Sequence, residues 1–85
     1  MITEFTRPYR NGEIRIGWAS WDDNEFQSRS IKYAFKGKSD KISRGCPELP
    51  FDILVDLILT AQKQGELSKE LVEKIKIGFA EEEIK

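Results

Sequence analysis

An α+β domain is expected: a small antiparallel β-sheet of three to four strands followed by two helices. Two changes of rhythm along the 85 residues support this. From Ile14 to Trp21 and again from Phe26 to Lys36, side-chain character alternates with period two, as it does when successive residues leave opposite faces of a strand. After Cys46-Pro47-Glu48-Leu49-Pro50 the apolar spacing becomes helical, with Phe51, Leu54, Val55, Ile58 and Leu59 recurring at intervals of three and four. The sheet should occupy about residues 1–46, the first helix about 50–64 and a second helix about 68–83, all in one domain.

Met1 to Asn11 reads as an arm or a short edge strand, because Ile2, Phe5 and Tyr9 keep no regular spacing and Arg7-Pro8 disfavours helix. Asn11-Gly12 is a turn signal, since both residues tolerate positive φ. The strand that follows directs Ile14, Ile16, Trp18 and Ser20 to one side and Arg15, Gly17, Ala19 and Trp21 to the other. Asp22-Asp23-Asn24-Glu25 is a polar turn. In the next strand Ile31, Tyr33 and Phe35 share a face, opposite Ser30, Lys32, Ala34 and Lys36. Gly37-Lys38-Ser39-Asp40 forms a loop, and a short third strand is expected around Lys41 to Gly45, completing a meander.

Pro50 suits the first position of the first helix, Asp52 complements its dipole, and Gly65 ends it. Ile53, Leu57 and Ala61 make much of its opposite side apolar too, more than one small sheet can cover. The same helix of a second copy is its natural partner, through Phe51, Ile53, Leu54, Leu57, Ile58 and Ala61. Ser68 is the expected N-cap of the second helix, with Leu67 and Val72 as a hydrophobic staple; Leu71, Ile75 and Phe79 form its narrower stripe.

Net charge is −1, but it divides unevenly. Residues 1–46 carry nine Lys or Arg against six Asp or Glu, and residues 47–85 carry five against nine. Charge asymmetry of this kind points toward nucleic-acid or membrane contact through a local patch. The patch is densest from Gln27 to Cys46, where Arg29, Lys32, Lys36, Lys38, Lys41 and Arg44 meet one acid, Asp40, and alternate with Ile31, Tyr33 and Phe35. Cations neutralise phosphates and aromatic faces stack on bases, so this composition suits single-stranded nucleic acid, DNA or RNA. The same alternation also serves a strand that packs one face and wets the other.

The candidate contacts are Arg15, Trp21, Arg29, Lys32, Tyr33, Lys36, Lys38, Lys41 and Arg44. Arg15, Trp21, Lys32 and Lys36 lead, because Gly17 and Ala19 leave a shallow track between Arg15 and Trp21; Trp18, among isoleucines, is assigned to the core. The single Cys46, the absence of histidine, and the lack of a signal-peptide pattern or bilayer-length apolar run suggest a reducing, soluble compartment: cytoplasm or nucleoid. No metal, cofactor or catalytic constellation is expected, and no membrane partner.

Ala19-Ser20-Trp21-Asp22-Asp23 at the end of a strand, the pair Ile31-Lys32 in the next, and Ser43-Arg44-Gly45 ahead of an apolar helix resemble the single-stranded-DNA-binding domain of the transcriptional positive cofactor four family, with its bacterial and phage relatives. The likeness spans about Gly12 to Gly65. It implies a curved antiparallel sheet, a helix-mediated homodimer, and binding of unpaired DNA without strong sequence preference, in transcription, as a coactivator, or in DNA replication or recombination. The chain departs from the family in the proline-rich Cys46 to Pro50 link and in the added second helix. The alternative is a protein-interaction module, a small adaptor or regulator with no nucleic-acid role. The C-terminal helix could recruit a protein partner under either reading.

Overall fold

The computed structural model describes residues 1–22, 25, 27–43 and 45–83, with Glu83 described by its backbone alone. Strands β1 (Ile2–Tyr9), β2 (Gly12–Trp18) and β3 (Arg29–Phe35) precede helices α1 (Phe51–Lys63) and α2 (Lys69–Glu83). The sheet is antiparallel in the order β1-β2-β3. The chain divides into two units, Met1–Leu54 and Val55–Lys85.

The N-terminal segment, read as an arm or a short edge strand, is an eight-residue edge strand, β1. Its pairing with β2 shifts register between Thr3 and Phe5, so Glu4 is an extra residue in a bulge and the period-two signal is broken there. Pro8 is tolerated because β1 lies at the sheet edge. The third strand expected near Lys41 to Gly45 is replaced by an irregular segment that caps the outer edge of β3 at separate points. Bridges join Lys36 to Ile42 and Ile31 to Leu49. Between them Ser43 N–H donates to Phe35 O at 2.8 Å, and Cys46 Sγ accepts from Phe35 N–H at 3.4 Å. Prolines 47 and 50 cannot donate to a ladder, which limits this segment to intermittent pairing.

Register and alternation sort the sheet into two faces. On the aromatic face lie Phe5, Arg7 and Tyr9 of β1, Ile14, Ile16 and Trp18 of β2, and Arg29, Ile31, Tyr33 and Phe35 of β3. Thr3, Thr6, Glu13, Arg15, Gly17, Ser30, Lys32 and Ala34 occupy the other. On the aromatic face Ile14, Ile31, Tyr33, Leu49 and Leu54 line a hollow of about 210 Å³, so the link and the first turn of α1 complete the apolar packing of this unit. On the opposite face the buried positions are small: Ala34 and Ser30 are fully buried, as is Ala19 just beyond β2. The Ser30 hydroxyl has no hydrogen-bond partner among the described residues. An unsatisfied buried hydroxyl is costly, so Ser30→Ala is expected to stabilise the protein by about 1 kcal/mol. In thermal melting this corresponds to a rise of roughly 4–8 °C; an unchanged or lower midpoint would mean that the hydroxyl is satisfied in solution.

Glu48 ties the link to the sheet. Its side chain is only 12% exposed, and Oε1 lies 3.1 Å from the Met1 ammonium. Oε2 accepts from Ser20 N–H at 3.0 Å and from Ser20 Oγ–H at 2.8 Å. Burial raises the Glu48 pKa, but the Ser20 hydrogen bonds and the Met1 ammonium outweigh it and leave the carboxyl below its ordinary value. A folded pKa below the unfolded one adds stability that is complete above the unfolded value, about 4.3, and is lost as pH falls through the folded value. Acid unfolding should therefore steepen below that pH, and Glu48→Gln should flatten the dependence in denaturant titrations at stepped pH. Equal slopes for the two proteins would show that Glu48 is not a source of the acid sensitivity.

Helix α1 begins one residue later than expected. Pro50 stands just before it, and its carbonyl accepts the Leu54 N–H at 3.1 Å. At the other end Gly65, at φ 74°, donates to Gln62 O at 3.1 Å, and Glu66 donates to Ala61 O at 3.0 Å. This crossed pair satisfies the last carbonyls of the helix and requires the left-handed glycine. At the start of α2, Ser68 Oγ accepts the Leu71 N–H at 3.2 Å, the N-cap read from the sequence. Leu67 and Val72 line one apolar hollow with Ile58, consistent with the staple. No residue of α1 is buried within the chain. Among the described residues no helix is long and apolar enough to cross a membrane, and no group of His, Cys, Asp or Glu could hold a metal ion.

Candidate nucleic-acid interface

The candidate residues separate into three places. Arg15 and Lys32 are direct cross-strand partners on the small-residue face. Glu13 Oε2 accepts from Arg15 Nε at 2.9 Å, and no ion pair holds the half-buried Lys32 among the described residues. The shallow track expected from Arg15 to Trp21 is closed, because Gly17 and Ala19 are both buried. Trp21 is 43% exposed in the turn beyond β2, close in sequence to Ser20, which Glu48 holds. Lys36 lies past the opposite end of β3, so the four leading contacts do not form one patch.

Trp18 and Arg29 make the second place. Trp18 is half-buried, not a core residue: its indole N–H donates to Glu4 Oε2 at 3.2 Å and the Arg29 guanidinium lies 4.6 Å over its ring. Arg29 also donates to Glu4 Oε1. The hydrogen bond from Arg29, first of all, holds the Glu4 carboxyl below its ordinary pKa, with a smaller contribution from Trp18. Sequence spacing puts Trp18 among isoleucines, and the register agrees, with Ile2 of the edge strand β1 directly opposite it; Ile2 is itself 49% exposed, and Glu4 of the nearby bulge reaches the indole.

At the third place, the end of the sheet where the β1–β2 turn meets the turn that follows β3, chemistry converges. Tyr33 packs edge-on against Tyr9 with ring centroids 5.7 Å apart and tilted against Phe35 at 5.6 Å, forming a row of three aromatic rings. The Arg10 guanidinium extends the row, 5.3 Å over the Tyr9 ring. Next to it, Lys36, Lys38 and Lys41 are exposed on a tight turn closed by Gly37 N–H donating to Lys41 O at 2.8 Å. Asn11 locks the two turns together. Its backbone carbonyl accepts from Lys36 N–H at 3.1 Å, its side-chain amide donates to Lys36 O at 3.2 Å, and its Oδ1 accepts the Tyr33 hydroxyl at 2.6 Å.

A polar cleft of about 550 Å³ opens between these turns, lined by Arg10, Asn11, Lys36, Gly37, Asp40 and their neighbours. Arg10 (φ 51°) and Asp40 (φ 59°) are the non-glycine residues with positive φ among those described, and both line it. Strained backbone of this kind clusters at binding sites. The nearby acids leave the cations available. Glu13 is engaged with Arg15, and the Lys36–Asp40 pair, 3.7 Å apart and exposed, is weak.

Of the sequence-derived contacts, Tyr33, Lys36, Lys38 and Lys41 meet at this end. Arg15, Lys32, Arg29 and Trp21 lie elsewhere, and Arg44 is outside the described residues. Tyr9, Arg10 and Asn11 were missed. The turn falls on Arg10-Asn11, one residue before the Asn-Gly signal, and Gly12 already belongs to β2. Asn11 was still the legible clue, since a side-chain amide in a tight turn commonly bonds neighbouring backbone. Of the residues assigned to a dimer interface, Phe51, Ile53, Leu57 and Ile58 are exposed, while Leu54 and Ala61 are half-buried. Comparison with protein-family models, curated proteins and solved structures found no match to this chain.

Proposed function

We propose that this chain is a single-stranded-DNA-binding protein without sequence specificity. It would act as a homodimer in transcription, replication or recombination, as in the positive cofactor four family it resembles. The observation that carries this reading is the row Tyr9-Tyr33-Phe35 running into the turn that bears Lys36, Lys38 and Lys41, with Arg10 at its other end. Stacking requires unpaired bases and tolerates any of them, while the cations follow the phosphate chain. The site acts by binding, not by catalysis.

Helix α1 supports the dimer. Ile53, Val55, Leu57, Ile58 and Leu59 are each 37–57% exposed, although such residues are normally inside. Fully burying one is worth about 1.5–3 kcal/mol, so half that gain from five residues supplies on the order of 4–8 kcal/mol per protomer, enough to offset much of the cost of association. A second reading, a protein partner on α2, draws support from Leu71 (47% exposed), Ile77 (56%) and Phe79 (65%).

Fluorescence anisotropy with labelled oligonucleotides, run beside light scattering, tests the proposal. Single strands should bind in preference to duplex, affinity should fall steeply with salt, and the mass should be twice that of the chain. Equal affinity for duplex, or indifference to salt, would contradict the DNA reading. A folded monomer at micromolar concentration would contradict the dimer.

A further inference from the structure

We infer that the stacking surface continues from Tyr9 along β1, past Arg7 and Phe5, to a second base-stacking site on Trp18, and that Glu4 and Arg29 close that site until a phosphate displaces the carboxylate. This extension rests on the single-strand reading given above. Arg7 and Phe5 pair with Ile14 and Ile16, which places them on the same face as Tyr9 and Trp18. Phe5 is 52% exposed and Tyr9 37% exposed, an unusual cost for an edge strand unless the aromatic surface is used.

The far end of this path is a complete but self-satisfied contact. A stacking base needs an aromatic face, and Arg29 covers that of Trp18 at 4.6 Å. A phosphate needs a guanidinium, and Arg29 is occupied by Glu4, which also accepts the Trp18 indole N–H at 3.2 Å. The bulge between Thr3 and Phe5 adds the residue that brings this carboxylate to the spot; bulges commonly re-aim one side chain beside a functional site. Glu4 and Arg29 are 50% and 39% exposed, so their ion pair is weak enough for a phosphate to exchange with the carboxylate. Glutamate thus stands where the phosphate would sit. On exchange Arg29 takes the phosphate and the ring is uncovered for a base.

The test compares Glu4→Gln with the parent, both carrying Trp21→Phe so that Trp18 is the only tryptophan, in titrations with an oligothymidylate of about 12 nucleotides. Glutamine is isosteric but no longer competes as an anion. Glu4→Gln is expected to bind roughly three- to tenfold tighter at low salt, with the slope of log affinity against log salt steeper by about 0.7, the contribution of one more single-strand phosphate. Trp18 emission should be quenched more strongly on binding, and adding Arg29→Gln should cancel the gain. Unchanged affinity and unchanged quenching on Glu4→Gln would overturn the extension while leaving the Tyr9-Tyr33-Phe35 site intact. A gain that survives Arg29→Gln would overturn it too, since it would reflect only the loss of a negative charge. No binding by the parent would remove the single-strand reading and this inference together.

Discussion

Gly17→Ala is expected to lower stability by about 3 kcal/mol, the upper end of what overpacking usually costs, and to drop the melting midpoint by roughly 12–24 °C. A Cβ at this position would lie 2.0 Å from Ile2 O and 2.9 Å from Thr3 Cα, which are backbone atoms of β1 that cannot swing aside as a side-chain tip can. Relief would require β1 to part from β2 next to the Glu4 bulge, where its pairing is already interrupted. Gly78→Ala in α2 is the control: an added Cβ meets nothing within 4 Å. Alanine is the better helix former by about 0.5–1 kcal/mol, so that variant should melt higher. If Gly17→Ala instead melted like the parent, the close approach of Ile2 to β2 would be wrong.

Tyr33→Leu is expected to weaken single-strand binding by about 1–3 kcal/mol, roughly 5- to 150-fold, the usual loss for one stacking face. Tyr33 is the middle ring of the row and the one that touches both others. Leucine keeps an apolar group beside Ile14, Ile31, Leu49 and Leu54, so the unit should still fold, losing about 1 kcal/mol with the hydroxyl bond to Asn11. Tyr33→Phe separates the two effects. It should lose the same stability but keep most of the binding. Melting and titration on the same samples would show this, and Tyr33→Leu binding as tightly as the parent would remove the row from the site.

Elements whose side chains keep one period were legible without coordinates. β2 and β3 announce themselves by alternation, which puts Arg15 and Lys32 on one face, but their direct pairing is a matter of register, which alternation leaves open. The ends of both helices were readable because Gly65 and Ser68 perform local chemistry that needs no tertiary partner. What failed was long-range or out of period. The Glu4 bulge left β1 readable as either an arm or a short edge strand, and hid Tyr9 and Arg10, whose importance depends on a contact with Tyr33 across the sheet. Lys41 to Gly45 resembles a strand in composition, yet the segment meets β3 only at scattered points. Trp18 was placed on the correct face, but no pattern in one strand tells that β1 will bring a glutamate and β3 an arginine to it, with only a half-exposed Ile2 opposite. Tyr33, Lys36, Lys38 and Lys41 survive as a cluster because two turns, locked by Asn11, bring them to one end.

Backbone amide chemical shifts of the ¹⁵N-labelled protein, followed as an unlabelled oligothymidylate is added, locate the site most directly. Shifts are expected to concentrate at Tyr9, Arg10 and Asn11 and from Tyr33 to Lys41, to fade as salt is raised, and to spare the exposed face of α2 around Ile77 and Phe79. Shifts confined to α2, or no shifts at oligonucleotide concentrations well above those of the protein, would contradict a nucleic-acid site at the end of the sheet that bears the β1–β2 turn.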